Sequence, residues 1–245
     1  MKRVLFISLV ALVALVSCQK EDHAVNQTIT YYPEITLTDG NTVAHQVGTP
    51  WSDPGVKAVL QGNDVTSQLD IDDQVDPDNS GIYTVTYTFI NADGFVRSAT
   101  RTVVVYDVAN ANDADITGTY ATTTYIRTKP DGSITNYNDA YGFAFEEKIT
   151  AGPGTGLFFI QDLVCGLYEF YAGYGSAYAY KAFVLLNKDN SFSLLNGDEI
   201  DPWGDPIGFF DGEAYYDPES ESIVLNWTYP GVSQNKYTTT YADKK

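Results

Sequence analysis

Aromatic rings and carboxylates fall close together in two stretches of the second half of the chain. Tyr168, Tyr171 and Tyr174 lie in the glycine-rich run Gln161-Asp-Leu-Val-Cys-Gly-Leu-Tyr-Glu-Phe-Tyr-Ala-Gly-Tyr-Gly175, and Trp203 sits in Asp201-Pro-Trp-Gly-Asp-Pro206. Sugar recognition needs flat apolar faces against the C–H surface of a ring, with amides and carboxylates nearby to bond its hydroxyls. Two prolines and a glycine put Trp203 on a loop, where an indole can serve as a platform. Trp203, Tyr171, Tyr174 and Asp205 are therefore the expected ligand-binding residues. With 14% aromatics in the chain, most other rings are expected to fill a core, and alternation assigns Tyr178 and Tyr180 to strand faces.

Catalysis would have to rest on carboxylates. Asp198, Glu199, Asp201, Asp205, Asp211 and Glu213 cluster in sequence, but no spacing among them singles out the pair, about 5 to 9.5 Å apart, that a glycosidase needs. The histidines are His23 and His45, which leaves a Cys/His zinc site without ligands and a Ser-His-Asp triad dependent on His45. Neither G-x-S-x-G nor a glycine-rich phosphate loop is present. Asp76, Asp78, Ser80 and Gly81 match the start of a calcium loop, yet its twelfth position is Tyr87, where a bidentate glutamate is required. No catalytic residue, metal ligand or cofactor is expected.

The elements that must position the aromatic residues read as all-β. Tyrosine, threonine and valine are abundant, turn signals recur about every ten residues, and no segment sustains a helical period. In Gly81-Ile-Tyr-Thr-Val-Thr-Tyr-Thr-Phe-Ile90, Tyr83, Val85, Tyr87 and Phe89 share one face; Asn91-Ala-Asp-Gly94 turns the chain, and Phe95–Tyr106 returns. The polar run Asp107–Asp115 divides the chain, giving a β domain at 30–107, a linker at 108–115 and a second antiparallel β domain, sandwich or barrel, at 116–243. In the second domain Lys129-Pro-Asp-Gly132 is a turn. Asn187-Lys-Asp-Asn190 separates hairpin strands, and Ile223, Leu225, Trp227 and Tyr229 alternate along a late strand with Trp227 inward.

The start of the chain supplies an address. Lys2 and Arg3 precede an apolar run, Val4–Val16, too short to span a bilayer as a helix and of the right length for a secretory leader at 1–17. Leu15-Val16-Ser17-Cys18 resembles a bacterial lipobox, which implies acylation at Cys18 and a flexible lipidated tether over 18–29. Lys20-Glu21-Asp22 resembles the short signal that, in Bacteroidetes lipoproteins, directs export to the outer face of the outer membrane. With Cys18 acylated, Cys165 has no partner for a disulfide, and its apolar neighbours predict an inert core thiol. Loss of the leader leaves 12 basic residues against 32 acidic ones, a net charge of −20 that disfavours nucleic acid and anionic lipid.

Asp76-Pro-Asp-Asn-Ser-Gly-Ile-Tyr83 resembles the tyrosine corner of immunoglobulin-like sandwiches. Together with Gly48-Thr-Pro-Trp-Ser-Asp-Pro-Gly-Val56 and Arg101-Thr-Val-Val-Val105, it is similar to the immunoglobulin-like domains of Bacteroidetes surface lipoproteins. The Gln161–Gly175 run and Trp203-Gly-Asp205 resemble the C-terminal β domain that accompanies them, often encoded beside glycan-uptake systems. The resemblance implies an immunoglobulin-like β-sandwich followed by a β domain of unknown function, on a non-catalytic surface lipoprotein that binds a polysaccharide or oligosaccharide, as part of an outer-membrane uptake complex. The alternative it leaves is a protein-interaction or adhesion role, or a structural part of such a complex.

Overall fold

Strands form where β-branched and aromatic residues alternate with polar ones, so each side of the pleat meets a different environment. A computed structural model describes residues 29–142, 144–195, 205–209 and 214–245; Cys18 and Trp203 lie outside them. In the N-terminal module the strands are β1 (Glu34–Leu37), β2 (Thr42–Gln46), β3 (Val56–Leu60), β4 (Asn63–Asp64), β5 (Asp70–Asp73), β6 (Gly81–Ile90) and β7 (Val96–Tyr106). They make two sheets, β1-β3-β4 and β2-β7-β6-β5, with β2 parallel to β7 and the other pairs antiparallel. Val85, Tyr87 and Phe89 of β6 and Val103 and Val105 of β7 are buried. The alternation read in the sequence is therefore the core face of this sandwich.

The expected turns carry the expected bonds. Gly94 N–H donates to the Asn91 carbonyl at 3.0 Å in the β6–β7 hairpin. The Tyr83 hydroxyl donates to the Asn79 carbonyl at 3.0 Å, which is the tyrosine corner. Asp76 accepts from Asp78 N–H at 3.0 Å and from the Asn79 amide at 2.8 Å, so its carboxylate serves its own turn.

The second module contains β8 (Gly118–Thr128), β9 (Ile134–Asn136), helix α1 (Tyr137–Tyr141), β10 (Glu146–Ala151), β11 (Leu157–Ile160), β12 (Ala182–Leu186), β13 (Phe192–Leu194), β14 (Gly208–Phe209), β15 (Tyr215–Asp217), β16 (Ser222–Thr228) and β17 (Lys236–Ala242). They form one antiparallel sheet in the order β13-β12-β11-β10-β8-β17-β16-β14, with β9 on β8 and β15 on β16. A bridge between Ser191 and Tyr215, with Phe192 N–H on the Ala214 carbonyl at 2.8 Å, brings the two ends together and nearly closes a barrel. Trp227, Tyr120, Tyr125 and Tyr241 are fully buried inside it. The Tyr120 hydroxyl donates to the Ile116 carbonyl at 2.7 Å, a second corner of the same four-residue span that the sequence reading missed.

Tyr32–Lys245 forms one compact unit. Val104 and Tyr106 pack with Leu157, Leu185 and Leu195 across the two modules. A side chain at Gly154 would collide with Tyr106, so the close approach of the barrel to β7 requires glycine there. The segment expected as a linker is stitched to the barrel: Asn112 N–H donates to the Leu186 carbonyl at 2.9 Å, and the Asn110 and Asn112 amides reach Asn187 and Asn190 at 2.8 and 2.9 Å.

Arg101, fully buried on β7, ties the sandwich together. It donates to the carbonyls of Thr38 at 2.7 Å, Gly40 at 3.0 Å and Gly55 at 2.8 Å, and to the Tyr87 hydroxyl at 3.1 Å, and it pairs with Asp53 at 3.3 Å. Removing it strands these acceptors and one carboxylate. Arg101→Ala should destabilise the protein by about 3–5 kcal/mol in urea unfolding, and Arg101→Lys should restore less than half of that loss, because an ammonium cannot span the same fork of acceptors. A loss under about 1 kcal/mol, typical of an exposed pair, would rule out this role.

Candidate functional site

Two buried carboxylates set the geometry of the site. Glu147 on β10 accepts from the N–H groups of Gln161 at 2.8 Å and Asp162 at 3.2 Å, fixing the chain as it leaves β11. Asp162 in turn accepts from Val164 at 3.1 Å, Gly166 at 2.9 Å and Tyr180 at 3.1 Å. Leu163 N–H closes the neck on the Tyr180 carbonyl at 2.9 Å. The eighteen-residue excursion from Asp162 to Tyr180 is thus gathered at its base by one side chain.

Above this neck the chain forms a tongue. Leu167–Tyr171 winds as a π-helical turn, with Tyr171 N–H on the Gly166 carbonyl at 3.1 Å and Ala172 N–H on that of Leu167 at 2.8 Å. A still wider bond follows, from Tyr174 N–H to the Tyr168 carbonyl at 3.0 Å. Gly166 takes φ +74°, and a Cβ there would meet the Phe145 ring at 2.6 Å. Gly173 and Gly175 also take positive φ, which breaks the strand expected over Tyr178 and Tyr180. Tyr178 instead ends a short 3₁₀ turn, Ser176–Tyr178, and Tyr180 is buried beside the neck.

Tyrosines on the tongue and on β16–β17 enclose a cleft of about 360 Å³. Tyr168 and Tyr174 form one wall, their rings nearly parallel at 7° with centroids 6.5 Å apart. Tyr180, Tyr229 and Tyr237 form the rest, with Tyr180 and Tyr229 edge to face at 6.1 Å and Tyr237 stacked at 4.1 Å on Trp227 beneath. Asp205, Ser233 and Asn235 supply polar groups at the rim. The turn after β16 is fixed by Ser233 N–H on the Tyr229 carbonyl at 3.1 Å and the Thr228 hydroxyl on the Asn235 carbonyl at 2.8 Å. The Tyr229 hydroxyl is buried beneath the cleft, beside Tyr180 and Tyr168. Burial pushes its ionisation far up, so it remains a neutral donor and acceptor.

Of the expected binding residues, Tyr174 and Asp205 line this cleft, with Tyr174 57% exposed. Tyr171 lies on the other side of the tongue, in a second cleft. Trp203, and with it Asp198, Glu199, Asp201, Asp211 and Glu213, lies outside the described residues. Sequence reading missed Asn235 and Ser233, and it assigned Tyr229 and Tyr180 to strand faces without linking them to the site; the Pro230-Gly231 turn was the available sign that Tyr229 ends a strand at a surface. It also passed over Glu147 and Asp162. Among the described residues no group of three histidine, cysteine or acidic side chains could hold a metal. Cys165 is buried, its thiol donating to Thr239 at 3.6 Å and lying 3.2 Å from the Tyr241 hydroxyl, and burial drives its pKa up.

The chain thus joins an immunoglobulin-like sandwich to a tyrosine-rich, nearly closed β barrel. Residues 35–105 match the family model of a bacterial surface protein Ig-like domain, and residues 110–242, more than half of the chain, match that of a partner C-terminal-domain family, so the chain belongs to this family. Among solved structures it is similar to the lipoprotein BT2262 from Bacteroides thetaiotaomicron, with 28% identity over 86% of this chain and 100% of that one and a TM-score of 0.44. It is also similar to two structures of ZmpB from Clostridium perfringens. One holds CBM51-2 with GlcNAc and INT domains (15% identity, 86% of this chain, 43% of that one, TM-score 0.27). The other holds the M60 catalytic domain with CBM51-1 and CBM51-2 (14%, 88% and 21%, TM-score 0.31). No curated protein matches the chain.

The carboxylate pair makes stability pH-dependent. Burial raises Glu147 from 4.5 to about 8 and Asp162 from 3.8 to about 6, in each case against the backbone N–H groups that pull the other way. Both groups hold protons more tightly folded than unfolded, so their contribution is full below the ordinary carboxylate range and is lost as pH rises through about 6 for Asp162 and about 8 for Glu147. Unfolding free energy should fall on the order of 3 kcal/mol between pH 5 and pH 9. Glu147→Gln, which imitates the protonated acid, should flatten the upper half of that slope in urea titrations at each pH. An unchanged slope in the variant would assign the trend to overall acidity instead.

Proposed function

We propose that this surface protein is a non-catalytic glycan-capture lipoprotein, anchored through acyl chains on Cys18 to the outer membrane, facing outward, and serving nutrient uptake. One observation supports this above the others: the 360 Å³ cleft combines tyrosine faces with hydroxyl, amide and carboxylate groups at its rim. Ring faces suit the apolar side of a sugar. Asn235, Ser233 and Asp205 suit its hydroxyls, and this mixture is what specific small-molecule sites share.

Among the described residues Asp205 is the acidic residue that lines the cleft. Glu147 and Asp162 have raised pKa values, but both are fully buried and bonded to backbone, out of a substrate's reach. A protein-contact role has one observation in its favour, the exposed Ile90, Phe95 and Val96 at the tip of the β6–β7 hairpin.

The test is a binding screen of the soluble chain from residue 27 against polysaccharides and oligosaccharides, with Tyr174→Ala, Asn235→Ala and Trp203→Ala in parallel. Binding is expected, and Tyr174→Ala and Asn235→Ala should each weaken it about tenfold or more, equivalent to about 1.4 kcal/mol, with the melting temperature preserved. Silence of the wild-type protein across the panel would favour the protein-partner reading.

A further inference from the structure

The tongue separates two clefts. On the far side from the five tyrosines, Tyr141, Phe145, Phe170 and Tyr171 surround a second hollow of about 260 Å³, with Gly166 at its base. Its lip is made by Tyr141 and Tyr171, each about half exposed, with ring centroids 5.1 Å apart and planes inclined at 60°. Neighbouring rings left in water are unfavourable unless something covers them. Among the described residues its side chains offer only the tyrosine hydroxyls and the buried Cys165 thiol as hydrogen-bonding groups, so stacking dominates what it can do.

The two clefts also share one foundation. Tyr141 contacts Tyr137 at 5.4 Å, Tyr137 stacks on Tyr125 at 4.6 Å, and Tyr125 lies 6.4 Å from Tyr237, which belongs to the first cleft. Tyr171 and Tyr174 are three residues apart on the tongue, so their backbones are separated by at most about 11 Å. No lysine or arginine lines either cleft among the described residues, and the chain carries a net charge of −18, which repels anions.

We infer that the ligand is a neutral polysaccharide gripped along its length: one sugar occupies the five-tyrosine cleft, the chain crosses the tongue, and another sugar stacks on Tyr141 and Tyr171. This rests on the glycan reading above and goes further, because it names an internal stretch of an uncharged chain as the ligand and assigns Tyr141 and Tyr171 to a second subsite. The first cleft supplies selection through its polar rim. The second adds grip through apolar stacking.

The test uses the soluble chain from residue 27 with a starch-type α-glucan, a β-1,3-glucan, a mannan and a xylan, each also as a ladder from disaccharide to octasaccharide, and polygalacturonate as the anionic arm. The expected result is that at least one neutral polymer binds, polygalacturonate does not, and affinity rises about tenfold or more along the ladder. The Tyr141→Ala, Tyr171→Ala double variant should abolish that rise, whereas Tyr174→Ala should weaken every length and keep the rise. Equal affinity for short and long oligomers, preference for polygalacturonate, or a rise that survives in the double variant would overturn the inference while leaving glycan binding standing. Absence of binding to any polymer overturns the glycan reading itself. The wild-type ladder decides the matter even if the double variant fails to fold.

Discussion

A carboxylate taken out of water must be surrounded by donors, and Asp162 meets that demand by collecting the N–H groups of Val164 and Gly166 just after it and of Tyr180 at the far end of the excursion. Because Val164, Gly166 and Tyr180 are held by the same two oxygens, the chain between them must leave the barrel and come back to the same point. The tongue, the position of Tyr168 and Tyr174 on one side and the position of Phe170 and Tyr171 on the other all follow. Glu147 supports the arrangement from below by bonding the N–H of Asp162 itself. Burial pushes both carboxyl pKa values up, and the neighbouring Asp162 charge adds to the shift of Glu147.

The same logic runs through the sandwich, where Arg101 is the buried charge and carbonyls are the partners. In the barrel the filling is aromatic, and buried tyrosines such as Tyr120, Tyr125, Tyr180 and Tyr241 bring hydroxyls into an interior that must accommodate them. Tyr120 bonds a carbonyl in its own strand entry, Tyr241 lies beside the Cys165 thiol, and the Trp227 indole donates to Thr239 at 3.2 Å. Where this ring-packed core reaches the surface it becomes the cleft. The core and the cleft are therefore lined by one continuous set of rings, and Tyr237 belongs to both.

Much of the architecture was legible because alternation and turn chemistry are local. The face of Tyr83, Val85, Tyr87 and Phe89, the corner at Tyr83 and the hairpin at Asn187–Asn190 each needed fewer than a dozen residues to declare themselves. The cleft was half legible: Tyr174 and Asp205 could be read from composition, but Asn235 and Tyr229 come from strands that meet the tongue only once the barrel has closed. Asp162 was overlooked among 32 acidic residues. The sign was present, since it interrupts an apolar run from Phe158 to Cys165, and a charge inside such a run has to be buried with partners. Tyr178 was misjudged because strand alternation was extended across Gly173 and Gly175, whose positive φ lets the chain change direction.

The seam between the modules has a mechanical side. Tyr106 fits against Gly154 without room for a methyl group, and the asparagines at 110 and 112 are bonded into the β12–β13 hairpin. Breaking that seam means shearing several hydrogen bonds and an apolar contact together, not opening a hinge. On the proposed reading, a drag force on a polymer held across the tongue would pass into the sandwich as torque on a single stiff lever, and the orientation of such a strand would follow that of the immunoglobulin-like module.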